Sequence, residues 1–186
     1  MTYKTQKDVV NYWENREEPN SERLTDIDLN FLKENLKGRF FLEYGAGIGR
    51  TFEAYPEQSN VVSLDITKNY SLRARKEARK HNLIYTDLFS ENGILDNEFK
   101  DKIFDSAVCS AVLLHVLPEQ IKETIKELVR VSKRLLIINF YDKENKTNMR
   151  EHNFNHDIVS VINELGFNYE GEWLESDKNY RIVVTE

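Results

Sequence analysis

The sequence predicts an α/β fold, doubly wound around a mostly parallel sheet of seven strands, with an antiparallel hairpin strand at the C-terminal end. Three observations carry that expectation. Five short, nearly continuous apolar runs suit strands buried on both faces, as in a parallel sheet. Helix-periodic segments separate these runs, and such alternation is the pattern of doubly wound folds. Two further strand patterns, NYEGEWLE and NYRIVVTE, close the chain and are placed to pair as a hairpin.

The elements follow in chain order. Residues 1–38 read as a helical segment ahead of a core at 39–186, the whole forming a single domain. In TQKDVVNYWENR, Val9, Val10 and Trp13 share one helical face. EEPNSE reads as a turn. TDIDLNFLKENLKG is a second helix: Thr25 and Asp28 match a capping box, Ile27, Phe31 and Leu32 form a stripe, and Gly38 suits the stop. The strands are RFFLEY, NVVSLDI ending near Asp65, LIYTD ending at Asp87, KIFDSAVCS and KRLLIINFY. Between them, YSLRARKEARKH fits an exposed helix. PEQIKETIKELVRVS places Ile121, Ile125, Leu128 and Val129 at helical spacing, with Pro118 suited to the first turn. HDIVSVINELG does the same with Ile158, Val161, Ile162 and Leu165, and Gly166 marks its stop.

Composition bounds the function. The 186 residues are 40% hydrophobic and 31% charged, the balance of a soluble globular chain able to bury its own core. A net charge of −6 gives no global attraction to nucleic acid or an anionic membrane. The single cysteine, Cys109, cannot form an internal disulfide, which fits a reducing cytoplasmic setting. No run approaches the roughly 20 apolar residues of a membrane span, and MTYKTQKDVVNYW lacks a signal-peptide core.

The densest signal is FLEYGAGIGR, where Gly45, Gly47 and Gly49 stand at every second position. Glycine lets a ligand approach the main chain closely, and this run sits at the end of the first strand, where ligands of doubly wound folds bind. GxxxxGK[ST] is absent, so this is not a plain phosphate loop. A dinucleotide GxGxxG would need its third glycine where Arg50 stands. The acid at Glu43 would repel a pyrophosphate and suit a cationic ligand.

With these residues in view, the chain resembles the class I S-adenosylmethionine-dependent methyltransferases, from about residue 39 to its end, which implies a Rossmann-like core. Glu43, Gly45, Ala46, Gly47 and Gly49 match the loop that wraps the methionine part of the cofactor. Asp65, followed by Ile66, matches the acid that holds the ribose hydroxyls. Asp87 and Leu88 match the segment beside the adenine. FDSAVCSAVLLHVLPE matches the fourth-strand motif, whose end, at Ser110, borders methionine and acceptor. A carboxylate at Asp65 has the acceptor capacity that two hydroxyls require. In similar enzymes the N-terminal segment folds over the cofactor as a lid, which puts Tyr12, Trp13 and Arg16 near the site.

The acceptor side is expected at the ends of strands four and five: Ser110 and His115, then Asn139, Tyr141 and Asp142, with His152 and His156 from HNFNH. His115 is the first choice for a general base, with Tyr141 and His156 beside it as catalytic candidates. No metal site is expected, because the two late histidines lack nearby cysteines or a third ligand. The Asp/Asn-Pro-Pro-aromatic tetrapeptide of many adenine- and amide-directed methyltransferases is missing; SAVL stands there. The basic helix reads as a solvated face. The expectation is therefore a monomeric or homodimeric enzyme methylating oxygen or nitrogen of a small molecule, with no nucleic-acid or membrane partner. A protein or peptide acceptor, or an inactive cofactor-binding partner module, is the alternative.

Overall fold

A computed structural model of the protein describes residues 5–17, 24–144, 153–174, 176 and 178–186. The turn expected at EEPNSE and the candidate His152 lie largely or wholly outside these residues. Two helices, α1 (Gln6–Glu14) and α2 (Asp26–Asn35), precede the sheet. Both start with a capping box, Thr5 with Asp8 and Thr25 with Asp28, in which each side chain satisfies the other residue's backbone N–H. The strands are β1 (Phe40–Tyr44), β2 (Asn60–Asp65), β3 (Ile84–Phe89), β4 (Ser106–Ser110), β5 (Leu135–Phe140), β6 (Asn168–Leu174) and β7 (Asn179–Thr185). Helix α3 (Ser71–Lys80) joins β2 to β3, α4 (Ile121–Val131) joins β4 to β5, and α5 (Ile158–Leu165) precedes β6.

The seven strands form one sheet in the order β3-β2-β1-β4-β5-β7-β6. Strands β1 to β5 are parallel; β7 runs antiparallel to both β5 and β6. The order reverses between β1 and β4, so their carboxyl ends open the crevice in which such folds seat ligands. Strand alternation divides the core. Phe41 of β1 packs with Leu32, Val61, Val108 and Val183 on the α2–α3 face. Leu42 and Tyr44 join Ile125, Leu128, Ile158 and Ile162 on the α4–α5 face.

Several expectations shift. β3 runs on to Phe89, two residues past Asp87. The β1–β2 crossover holds only a short helical turn, Phe52–Ala54. Helix α4 is capped by Gln120, which leaves Pro118 in the turn ahead of it. Helix α2 ends at Asn35 with Leu36 as its C-cap, two residues before Gly38. Its stripe divides: Leu32 is fully buried while Ile27 is 52% exposed.

Candidate functional site

Beyond the carboxyl ends of β1, β2 and β4 lies a cavity of about 940 Å³, open to solvent on one side. The loop after β1 lines it with Gly45, Ala46, Gly47, Ile48 and Arg50, and the end of β2 adds Asp65, Ile66 and Thr67. Ser110, Ala111 and Val112 come from the end of β4, His115, Val116 and Gln120 from the segment leading into α4, and Thr124 from the first turn of α4 itself. Gln6, Val9 and Trp13 of α1 form the roof.

The loop's conformation explains two of its glycines. Gly45 has φ +73°, donates its N–H to the Leu64 carbonyl at 2.8 Å, and would drive a Cβ to 2.5 Å from Val112. Gly47, at φ +53°, has nothing within 4 Å of where a Cβ would stand, so its backbone faces open space. Asp65 bridges loop and strand. Its Oδ2 accepts the Gly47 N–H and its Oδ1 the Thr67 N–H, each at 3.2 Å. Two N–H donors leave a carboxylate further acceptor capacity. Burial pushes the Asp65 carboxyl above its ordinary range against the pull of those amides. Ser110 is buried at 6% exposure, and its Oγ has no hydrogen-bond partner among the described residues. Such an orphan is uncommon in a native fold.

Helix α1 is fastened at both ends. Gln6 Nε2 donates to the Glu91 carbonyl at 2.5 Å. At the other end, Asn69 Nδ2 donates to the carbonyls of Trp13 and Arg16 at 2.9 and 2.8 Å, and the Tyr70 hydroxyl donates to Arg16 at 2.9 Å. Between these ties the Trp13 ring meets His115 edge-on, centroids 4.9 Å apart. Tyr12 is not among the lining residues; its hydroxyl accepts from Arg16 Nη1 at 2.6 Å.

The other anticipated residues are distributed around the cavity. Glu43 is buried beneath the loop, 1% exposed, where the Tyr55 hydroxyl donates to it. Burial pushes its carboxyl up to about 7, against the hydrogen bond from Tyr55 and the charge of Arg50. Gly49 backs onto Phe52. Asp87 faces α3, accepting from Ser71 Oγ and from Arg75 Nη2 at 2.5 Å. Burial raises its carboxyl, but those hydrogen bonds prevail and hold it below the usual range. Leu88 packs into the α4–α5 core. The β3 end near the cavity is instead Phe89, Ser90 and Glu91, which with Ile66, Thr67 and Lys68 border an adjoining depression.

Tyr141 stacks on Tyr180 and donates to Asp157 at 3.3 Å, outside the lining. His156 donates Nε2–H to the Val116 carbonyl at 2.8 Å, and burial lowers its pKa. Asn139 is 1% exposed; its Oδ1 accepts the Leu114 N–H at 3.1 Å and its Nδ2 donates to Phe140 at 2.9 Å. The buried Asp142 pairs with Lys178 at 3.2 Å. Asn139 and His156 thereby clamp the turn Leu113–His115 that presents His115. Of the catalytic candidates, His115 alone lines the cavity. Sequence reasoning missed Gln6, Val9, Thr67, Tyr70, Asn92, Gln120 and Thr124 in that lining. Thr67 had a signal, two positions after Asp65; the others reach the cavity through helix placement.

The methyltransferase-domain family model matches residues 42–136, just over half of the chain. The chain belongs to that family. No curated protein matches it. Among solved structures, the methyltransferase is similar to magnesium protoporphyrin IX methyltransferase from Synechocystis PCC 6803. That structure with bound SAH is 16% identical, covers 98% of this chain and 100% of the other, and has TM-score 0.66. The form with bound SAM is 18% identical over 100% of both chains, TM-score 0.66. The PH0226 protein of Pyrococcus horikoshii OT3 is 22% identical over 84% of this chain and 86% of that one, TM-score 0.60. At identities this low the TM-scores show a shared fold alone, the Rossmann-like methyltransferase architecture. The family's methyl donor is S-adenosylmethionine. The site's chemistry fits such a group: an acid with spare acceptor capacity, a glycine backbone facing open space and an orphan buried hydroxyl converge on one cavity. No helix among the described residues is long and apolar enough to cross a membrane.

Proposed function

We propose that the protein transfers a methyl group from S-adenosylmethionine to an oxygen or nitrogen of a small-molecule acceptor. The observation that carries this reading is the convergence of Asp65, the open backbone at Gly47 and the unpartnered Ser110 hydroxyl on one roofed cavity. Asp65 would hold the ribose hydroxyls, the Gly45–Gly47 backbone the methionine portion, and Ser110 a polar atom between methionine and acceptor. When bound, the cofactor supplies an electrophilic sulfonium methyl. The chain's own work is orientation and water exclusion, which can account for most of the rate in a reaction of this kind.

Helix α1 acts as the lid. Trp13 and Val9 cover the cavity, and the Gln6, Asn69 and Tyr70 ties hold them there. His115 stands at the wall with its turn clamped by Asn139. It takes the acceptor's proton where the acceptor keeps one at neutral pH. A cavity roofed by a fastened helix favours a compact acceptor over a polypeptide.

A second reading keeps cofactor binding without methyl transfer. SpnF, described as a cyclase, shares this fold at TM-score 0.62 and 17% identity, over 87% of this chain and 65% of that one. An acceptor panel with methyl-labelled cofactor separates the readings. The enzyme reading expects label on a phenol, alcohol, carboxylate or amine, and His115→Gln to cut kcat by about 10² or more where the acceptor must lose a proton. Cofactor binding with no label on any acceptor would leave the binding-module reading in its place.

A further inference from the structure

At the far edge of the sheet from α3, helix α2 covers β7 through the buried Val183 and Arg181, while no helix among the described residues covers the same face of the edge strand β6, where Glu170 and Glu172 are exposed. A groove of about 1180 Å³ runs there between α2 and the hairpin. Its lining is mixed: Ile27 and Phe31 from α2 and Leu174 from β6 supply the apolar surface over the buried Val183, with Asn30 and Asn35 of α2 beside them. Its rim is acidic, with exposed Glu34, Glu170 and Glu172. The basic group in the lining, Arg181, is already neutralised by Asp28 in a buried pair at 2.7 Å. That pair also fixes α2 against β7. On the opposite face, α5 covers the same strands through Ile158 and Ile162, which pack with Trp173 and Val184. Strands of a layered α/β fold are ordinarily covered on both faces. Here the α2 stripe read from the sequence is spent only in part on the core. Leu32 is buried and Ile27 stands 52% exposed at the groove.

We infer that this groove docks an amphipathic helix of a partner protein, apolar on the side facing Ile27 and Leu174 and flanked by Lys or Arg. A helix is the element that packs beside α2 on a sheet, and basic flanks match the glutamate rim. A second copy of this chain fits poorly. Antiparallel pairing of β6 with itself about Gly171 would set Glu170 against Glu172, and like charges directly opposite destabilise a strand pair. The chain's own basic helix, α3, matches the rim's charge but its exposed apolar residue is Leu72 alone.

The test uses the whole chain with a fluorescent Leu/Lys amphipathic helical peptide and a Leu/Glu counterpart, followed by anisotropy and amide hydrogen exchange. The expected result is saturable binding of the Leu/Lys peptide only, with protection confined to α2 and the β6–β7 hairpin. Ile27→Asp combined with Glu172→Lys should weaken it at least about tenfold while thermal unfolding and S-adenosylmethionine binding stay unchanged. Both positions are exposed, so the variant keeps its fold. Absent or undiminished binding, or protection elsewhere, would overturn the inference. So would a concentration-dependent dimer, seen by sedimentation and abolished by the same variant, because a second copy would then fill the groove.

Discussion

Glu43 gives the most quantitative prediction. The carboxyl is enclosed beneath the glycine loop, and burial lifts its pKa from the ordinary 4.5 to about 7. A folded-state pKa above the unfolded one means that folding favours the protonated form. The group's stabilising contribution is then fully present below pH 4.5 and is lost as pH rises through 7. Each pKa unit of separation is worth about 1.36 kcal/mol, so the whole span amounts to about 3 kcal/mol. Glu43→Gln removes the titration while keeping an oxygen to accept from the Tyr55 hydroxyl. Urea unfolding of both proteins between pH 5 and pH 8 covers most of that span and should show their stability difference moving by about 2–3 kcal/mol. Wild type should be favoured at the acid end and the variant at the alkaline end. A difference constant across that range would mean that Glu43 ionises as an exposed acid does. The account of a dry, acid-bearing support under the loop would then be refuted.

Other outcomes follow from the same geometry. Gly47→Val forces a branched residue to φ +53°, which should lower stability by about 1–2 kcal/mol and project a side chain into the cavity. Calorimetry should show cofactor affinity falling beyond what the stability loss explains. Trp13→Ala removes the ring over His115; stopped-flow release of the cofactor should accelerate while the unfolding midpoint changes far less than for a core residue. Asp28→Leu removes the carboxylate that pairs with the buried Arg181 and half of the α2 capping box and should cost about 3–5 kcal/mol, whereas the double variant with Arg181→Met should recover the part due to the pair. Equal losses in the single and double variants would contradict that pairing.

Much of this arrangement was legible in the chain because it is local. The glycine spacing, the acid closing β2 and the helix-periodic stripes all lie within a few residues of what they specify. What escaped depends on side-chain direction or distant partners. Asp87 reads as a strand-end residue, but the strand continues to Phe89 and the period-two alternation turns Asp87 towards Ser71 and Arg75. Tyr141 and His156 follow the expected segments, yet Tyr180 and Val116 claim them from afar. Asn139 reads as a site residue and instead fixes the turn bearing His115. The placement of helix α1 over the cavity was expected from the resemblance alone, since its apolar face gives no sign of which surface it covers.

The most direct test of the central claim is calorimetric titration of S-adenosylmethionine and its demethylated product into wild type and Asp65→Ala. The account predicts saturable one-to-one binding to wild type and no binding of NAD. It also predicts a loss of about 1–3 kcal/mol in the variant, the scale of hydrogen bonds to a charged group. Equal affinity in the two proteins, or preference for NAD, would contradict the assignment of this cavity to the methyl donor.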